Sequence, residues 1–430
     1  MDVAERIYRF NAGRDPDLVE RKYARIATDP FLFLRGTCHL FYEDWHGGRK
    51  LDSAPHSWIC GDLHLENMGV YKGDNRLAYF DVNDFDEAAL APCTWEIARL
   101  LVSLHVASRT LGISLAAARK LCRAFLDAYA VALADGKPRW IERDLASGLV
   151  GALFDQVRGR RRRAFLDRRT VREGKRRSLV IDGDKTLAVD ARDREALFGW
   201  MQEYAKRQPD PKFFRPIDVA RRAAGTGSLG LHRYAFLVRG NGSPNDNVLL
   251  DLKAAGASSP GTRLRRIQPR WESQARRVVT LQQRIQAISP AYLAPVIFAK
   301  QDFVLKELQP SQDRLDLAAV GGDVRVLGET LGTMGRLVAW SALRGSGRQG
   351  AASADELIAF AQSREWRGAL VEYVEESAAQ VLREWSEFRR ARQAQAGTKD
   401  RPGVGRRRES ARKAGPRAPS GKNRGTAKRE

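Results

Sequence analysis

Apolar and polar positions alternate with two different periods along this chain, and the change between them divides it. Residues 1–60 read as helices and loops, with the apolar patch Phe31-Leu32-Phe33-Leu34 following Asp29-Pro30. Ser57-Trp58-Ile59-Cys60 and Leu77-Ala78-Tyr79-Phe80 have the length and composition of short strands, each running into a polar loop. Two helices are predicted next, over 94–109 and 114–134. The first is apolar nearly all round, the pattern of a helix enclosed by core. Residues 135–215 are polar, charge-rich and weakly periodic, and read as an insert or linker. Three strands follow within 217–253: Ile217-Asp218-Val219-Ala220, Tyr234-Ala235-Phe236-Leu237-Val238 and Val248-Leu249-Leu250-Asp251-Leu252, joined by Gly/Asn-rich turns. A helix around 271–288 and a strand pair near 296–308 complete a small α+β unit. Residues 328–344 and 354–392 return to helical periodicity, with Leu370, Val374, Val381, Trp385 and Phe388 on one face. There is no internal repeat.

This pattern predicts an α+β protein in five stretches. Residues 1–134 form part of a large helical lobe, 135–215 the insert, 216–310 a β-rich lobe, 311–396 the helical remainder and 397–430 a tail. A chain of 430 residues holds two or three units at roughly 100–200 residues each. Its 43% hydrophobic content excludes a wholly disordered chain. No apolar run approaches the ~18–20 residues of a membrane span, and Met1 to Arg6 has no basic segment leading into an apolar one. Cys38, Cys60, Cys93 and Cys122 lack metal-site spacing and disulfide density. The expectation is a soluble cytoplasmic protein.

The net charge of +22 is concentrated in two places. Arg158 to Arg177 holds eleven Lys/Arg against two Asp/Glu, and residues 397–430 hold twelve against three. The tail has too few large apolar residues to offset its ordering entropy and is expected to be disordered. Both runs could contact a polyanion, but neither comes with a nucleic-acid recognition motif or interleaved stacking aromatics.

Three clusters carry candidate chemistry. Gly61-Asp62-Leu63-His64-Leu65-Glu66-Asn67 follows a strand, and an Asp with an Asn five residues on has the spacing of a kinase catalytic loop. Asp81-Val82-Asn83-Asp84-Phe85-Asp86-Glu87 places five oxygen-bearing side chains in seven residues at another strand end. Such a cluster repels itself unless a divalent cation or a basic partner is present, and oxygen donors suit Mg²⁺ or Mn²⁺ better than zinc. Gly225-Thr226-Gly227-Ser228-Leu229-Gly230 lies between two strands, with Lys253 on the next. Strand, glycines and strand differ from the strand–glycines–helix order of a dinucleotide fold, and match a phosphate-covering hairpin followed by a phosphate-pairing lysine.

The first two clusters resemble the aminoglycoside phosphotransferase and choline kinase branch of the protein-kinase-like superfamily. Asp84-Phe85-Asp86-Glu87-Ala88 and Trp95-Glu96-Ile97-Ala98 follow in that branch's order. More closely, Phe33-Leu34-Arg35-Gly36, Cys60 to Asn67 and Asn83 to Ala88 resemble the bacterial family called domain of unknown function 2252, over roughly residues 25–390. The resemblance implies a two-lobed kinase-like fold, circularly permuted so that the glycine loop and lysine follow the catalytic loop. It implies ATP and Mg²⁺ (or Mn²⁺) as cofactors, Asp62 as catalytic base, Asn67 and Asp84 as metal ligands and Lys253 on the phosphates. Gly225, Gly227, Ser228 and Gly230 would offer N–H groups to those phosphates. It also implies a helix Glu pairing with the lysine, for which Glu272 is the only acid between Lys253 and Asp302. Asp81, Asp86 and His64 are secondary candidates, as metal helpers or loop-shaping groups. Gly61 to His64 also resembles the metal-binding element of metallophosphoesterases, but no companion His/Asp segment follows.

The expected function is therefore a kinase-like phosphotransferase acting on the hydroxyl of an unidentified, small-molecule acceptor. A catalytically inactive nucleotide-binding scaffold, and a polyanion-binding protein using 158–177 and 397–430, are the alternatives. Oligomeric state is not legible.

Overall fold

The N-terminal helices start where the sequence supplies caps. Asp2, Asp15 and Asp29 each accept a backbone N–H at the head of Val3–Phe10, Pro16–Thr28 and Pro30–Gly36, and Pro16 and Pro30 open the latter two. The chain is described by a computed structural model over residues 2–399. The expected disordered tail 397–430 lies outside the described residues from position 400 onward.

The helix Thr94–Ala107 is buried at every residue, as its all-round apolar pattern predicts. The helices Leu115–Ala134, Val324–Gly345 and Glu365–Lys399 pack around it or one another, and they share one core with the N-terminal helices. Two short antiparallel ladders enter that core. His56–Ile59 pairs with Ala89–Pro92, and Met68–Lys72 pairs with Ala78–Val82. Two of these strands were not predicted: Met68–Lys72 and Ala89–Pro92 are four or five residues long and carry no alternation, because they are buried on both sides.

The second substructure is a six-stranded antiparallel sheet. Its spatial order is Ala294–Phe298, Gln301–Glu307, Val248–Ala254, Arg233–Val238, Pro216–Arg222 and Thr186–Leu187. Register decides which residues meet. Lys253 lies opposite Arg233 and Val304, and Asp251 opposite Ala235 and Lys306. Side chains alternate across a strand, so Asp251, Lys253, Arg233 and Lys306 share the face that also carries Ala235 and Leu249. The other face, with Tyr234, Phe236, Leu250 and Leu252, is covered by Leu197, Met201 and Ala205 of the helix Ala191–Lys206.

Residues 135–215, expected as an insert or linker, thus supply the sheet's cover and its edge strand. They also contain the helix Gly148–Arg158, packed on the Met68–Val82 hairpin and on Val324–Gly345. The periodicity was weak because each element buries only one narrow stripe, at Leu197, Met201 and Ala205 for instance, between charged residues. The four cysteines are free and buried, and no helix among the described residues is long and apolar enough to cross a membrane.

Leu115–Ala134 and Val324–Gly345 pack closely at Gly335. A Cβ on Gly335 would meet the Phe125 carbonyl oxygen at 2.5 Å and the Tyr129 nitrogen at 3.1 Å. Gly335→Ala should therefore destabilise the protein by roughly 1–3 kcal/mol, although alanine favours an isolated helix by about 1 kcal/mol. Urea denaturation of the variant checks the sign.

Candidate functional site

The loops 60–67 and 83–88 leave the two short ladders side by side, and they touch. Gly61 has φ +82°, and a Cβ there would lie 1.9 Å from the Glu87 carbonyl oxygen, so only glycine permits this approach. The Cys60 N–H donates to Glu96 Oε2 at 2.9 Å, and the Asn83 N–H to the Asn67 carbonyl at 3.1 Å. His64 is buried and held neutral, its pKa lowered by burial and by Arg35 and Arg99. Its Nδ1 accepts the Glu66 N–H at 3.2 Å, a loop-shaping contact.

Asp62 is anchored by a buried cation. Arg99 Nε donates to Asp62 Oδ1 at 2.9 Å, Arg99 Nη2 also reaches the Leu34 carbonyl at 3.0 Å, and the guanidinium carbon lies 5.2 Å from the centroid of the Phe41 ring. The Arg99 side chain is wholly buried while that of Asp62 keeps 21% exposure. Asn67 donates through Nδ2 to the carbonyls of Asp62 (2.9 Å) and Asp84 (3.4 Å), which leaves its Oδ1 buried without a partner.

The sheet brings Lys253 to this point. Its Nζ donates to Asp84 Oδ2 at 3.4 Å and forms an ion pair with Asp86. Burial opposes ionisation of Asp84, but Lys253, Lys306, Arg314 and Arg233 together hold its carboxyl well below the usual range. Burial and the charge of Asp84 push Asp86 the other way, up. Lys306 closes the arrangement by donating to the Asn83 carbonyl at 3.3 Å.

Asp62, Asn67, Asp84, Asp86 and Lys253 are therefore assembled, from segments up to 191 positions apart in sequence if Lys253 is counted from Asp62. Three expectations are not met. Glu272 does not reach Lys253: its carboxylate is 82% exposed and pairs with Arg276 at 3.4 Å. The helix Gln274–Ile285 begins only after the Ser273 cap, so Glu272 precedes it, and the residue sent inward is Arg277, which donates to the carbonyls of Asp86 and Gly256 at 2.8 Å. Asp81 faces away from the site. Its Oδ2 accepts from the Ala287 N–H at 3.0 Å and from Arg344 at 3.3 Å. Ser228 has already committed its N–H, to the Gly225 carbonyl at 3.1 Å.

The glycine loop joins Pro216–Arg222 to Arg233–Val238 and is seated on the N-terminal helices. Gly227 accepts from Arg14 (3.0 Å) and Lys22 (3.2 Å), and Gly230 accepts the Asp15 N–H at 3.0 Å. Gly225 and Gly230 have φ of +84° and +89°. Gly225 and Thr226 line a cavity of about 1140 Å³, together with the apolar Ala235, Leu249, Leu308 and Leu315 and with Arg35, Glu66 and Arg314.

Sequence reasoning missed Arg99, Lys306, Arg314 and Arg277. Arg99 alone left a signal, as a cation three residues after Glu96 in an otherwise apolar helix. The arrangement is that of an α+β protein with a lysine–carboxylate–amide centre, near a large cavity whose lining includes Glu66 of the 60–67 loop and Arg314, one of the cations acting on Asp84. The chain belongs to the family described as an uncharacterized protein conserved in bacteria (DUF2252), whose model matches residues 14–391. No curated relative and no solved structure matches it.

Two stability effects follow from the geometry. Arg99→Ala strands the Asp62 carboxylate and should cost roughly 3–5 kcal/mol in urea denaturation, more than Asp62→Asn. Burial raises Glu96 from 4.5 to about 7, against the lowering effect of the Cys60 N–H. Because the folded state holds a proton that the unfolded chain releases, this stabilisation is complete below pH ~4.5 and lost as pH rises through about 7, a change of at most ~3 kcal/mol. The urea midpoint of the wild type relative to that of Glu96→Gln should fall between pH 5 and 8; taking the difference removes the opposite contribution of buried His39 and His64, whose lowered pKa values favour the fold as pH rises toward 6.5.

Proposed function

We propose that this protein is a kinase-like phosphotransferase that moves the γ-phosphoryl group of MgATP to the hydroxyl of a small molecule. The observation that carries the reading is the meeting of Lys253 with Asp84 and Asp86, beside Asn67 and Asp62; a cavity lined in part by the glycine hairpin and by Glu66 lies nearby. In this reading the six-stranded sheet and its hairpin form the nucleotide lobe. The large lobe is built from both chain ends, and the kinase order is circularly permuted.

The residues present fit a magnesium ion. Among the described residues no three His, Cys, Asp or Glu side chains are grouped to hold a metal, but Mg²⁺ at phosphotransfer sites takes one or two protein oxygens and completes its shell with phosphates and water. Asp84, kept ionised, and the unpartnered Oδ1 of Asn67 supply that pair. When bound, the ion would neutralise charge on the phosphates.

The chain's own groups do the rest. Ala235, Leu249, Leu308 and Leu315 offer an apolar slot for the base. Lys253 exchanges Asp84 for the phosphates while keeping its ion pair with Asp86. Asp62, fixed through Oδ1 by Arg99, orients the acceptor hydroxyl and takes its proton as the new P–O bond forms and the bond to the leaving ADP oxygen breaks. Little covalent work falls to the protein, so positioning and charge carry the rate. The lysine is steadied here by Asp86 instead of a helix glutamate.

Calorimetric titration of MgATP tests this. The wild type should bind only with Mg²⁺ present, and Asp84→Asn should weaken binding at least tenfold. Asp62→Ala should keep binding while slow ATP hydrolysis or transfer disappears. Failure of the wild type to bind at millimolar nucleotide would overturn the proposal, and binding with no turnover under any acceptor would leave a scaffold.

A further inference from the structure

The cavity is larger and more basic than one nucleotide requires. Its volume of about 1140 Å³ exceeds the roughly 300–1,000 Å³ typical of a single small-molecule site. Eight Arg or Lys residues line it against four Asp or Glu. The cations come from six places along the chain, Lys185 and Arg222 among them. Arg21 and Arg25 come from the helix Pro16–Thr28, Arg168 and Arg169 from the basic run whose partner composition could not name, and Arg35 and Arg314 lie beside Glu66 of the 60–67 loop.

The last two are short of partners. Arg35 is buried and pairs with Glu66, but its Nε has no hydrogen bond. Arg314 is half-buried; its backbone bridges to Gly69, but among the described residues its guanidinium is in no side-chain hydrogen bond or ion pair. Its pKa is lowered, first by burial and then, against the pull of Asp84, by the charge of Arg35. Guanidinium groups lining one cavity with fewer carboxylates than cations are a receptor for anionic oxygens, which they bind through charge-assisted, often bidentate hydrogen bonds.

We propose that the cavity holds a second ligand beside the nucleotide, and that this ligand is a small phosphate monoester whose free hydroxyl is the acceptor. The proposal rests on the phosphotransfer reading for the acceptor role, and on the arginines alone for the anion. The acceptor phosphate would bind the arginines unchanged. Its hydroxyl oxygen would form the new bond to the γ-phosphorus as the bond to the ADP oxygen breaks, with the proton passing to Asp62.

Glycerol and glycerol 3-phosphate, which differ only in the phosphate, are the probes. Each is titrated calorimetrically into the full chain, with and without a saturating magnesium complex of a non-hydrolysable ATP analogue. The wild type should hold glycerol 3-phosphate at least tenfold tighter than glycerol. Arg168→Gln/Arg169→Gln and, separately, Arg314→Met should each reduce that preference to threefold or less. No preference in the wild type, or one that survives in both variants, would overturn the proposal. So would tight, arginine-dependent binding of a single-stranded RNA oligonucleotide with none of glycerol 3-phosphate. If the ATP analogue itself fails to bind, the phosphotransfer reading falls. A glycerol 3-phosphate preference measured without nucleotide would then uphold the anion site and remove only its acceptor role.

Discussion

A fully buried guanidinium, that of Arg99, is the constraint around which the centre of this protein is arranged. A cation taken out of water is costly unless its donors are satisfied and its charge is matched. Arg99 matches its charge with the Asp62 carboxylate and satisfies Nε and Nη2 through Asp62 and the Leu34 carbonyl, while Nη1 is buried without a partner and the guanidinium lies over the face of Phe41. Those partners belong to the 60–67 loop and to two N-terminal helices. One side chain on the most buried helix therefore fixes the loop to the body of the large lobe, and Glu96, one turn earlier, holds the loop's first residue through the Cys60 N–H.

Across the cavity the sheet imposes a matching pattern. Asp251 lies between Arg222 and Arg233, which hold its carboxyl far below the usual range against the cost of burial. Lys253, two residues on and on the same face, is left to Asp84 and Asp86. Asp84 and Asp86 are driven apart in acidity by one surrounding. The first is kept ionised by four nearby cations, and the second is raised by burial and by its neighbour's charge. Carboxylates separated in this way can take different roles in one site.

The basic run 158–177 has a divided part in this scheme. Arg160 is consumed by an ion pair with Asp313, and Arg177 by one with Asp167 and by Thr170 Oγ1. Both are internal staples, which explains why composition suggested a polyanion contact without any recognition motif. Arg168 and Arg169 turn instead to the cavity, so part of the charge excess belongs to the interior cleft.

Local pattern and motif spacing were enough to place most helices and the five main strands of the sheet, because each buries a periodic stripe or is bounded by a cap. They also singled out Asp62, Asn67, Asp84, Asp86 and Lys253, the first four because polar side chains recur at short offsets in two loops that each follow a strand. The partners could not be read in the same way. Whether Lys253 meets Glu272 or Asp86 depends on where the helix after it begins, and the Ser273 cap puts Glu272 outside that helix with its carboxylate in water. Asp81 was a secondary candidate beside Asp84, but it belongs to a strand whose pleat turns it toward Arg344. The arginines that neutralise or line the site come from distant segments with no spacing in common. Sequence alone determined the periodic elements and the reactive loops; tertiary structure decided which charges face each other, because buried charge is matched in space and chain offset carries no record of that.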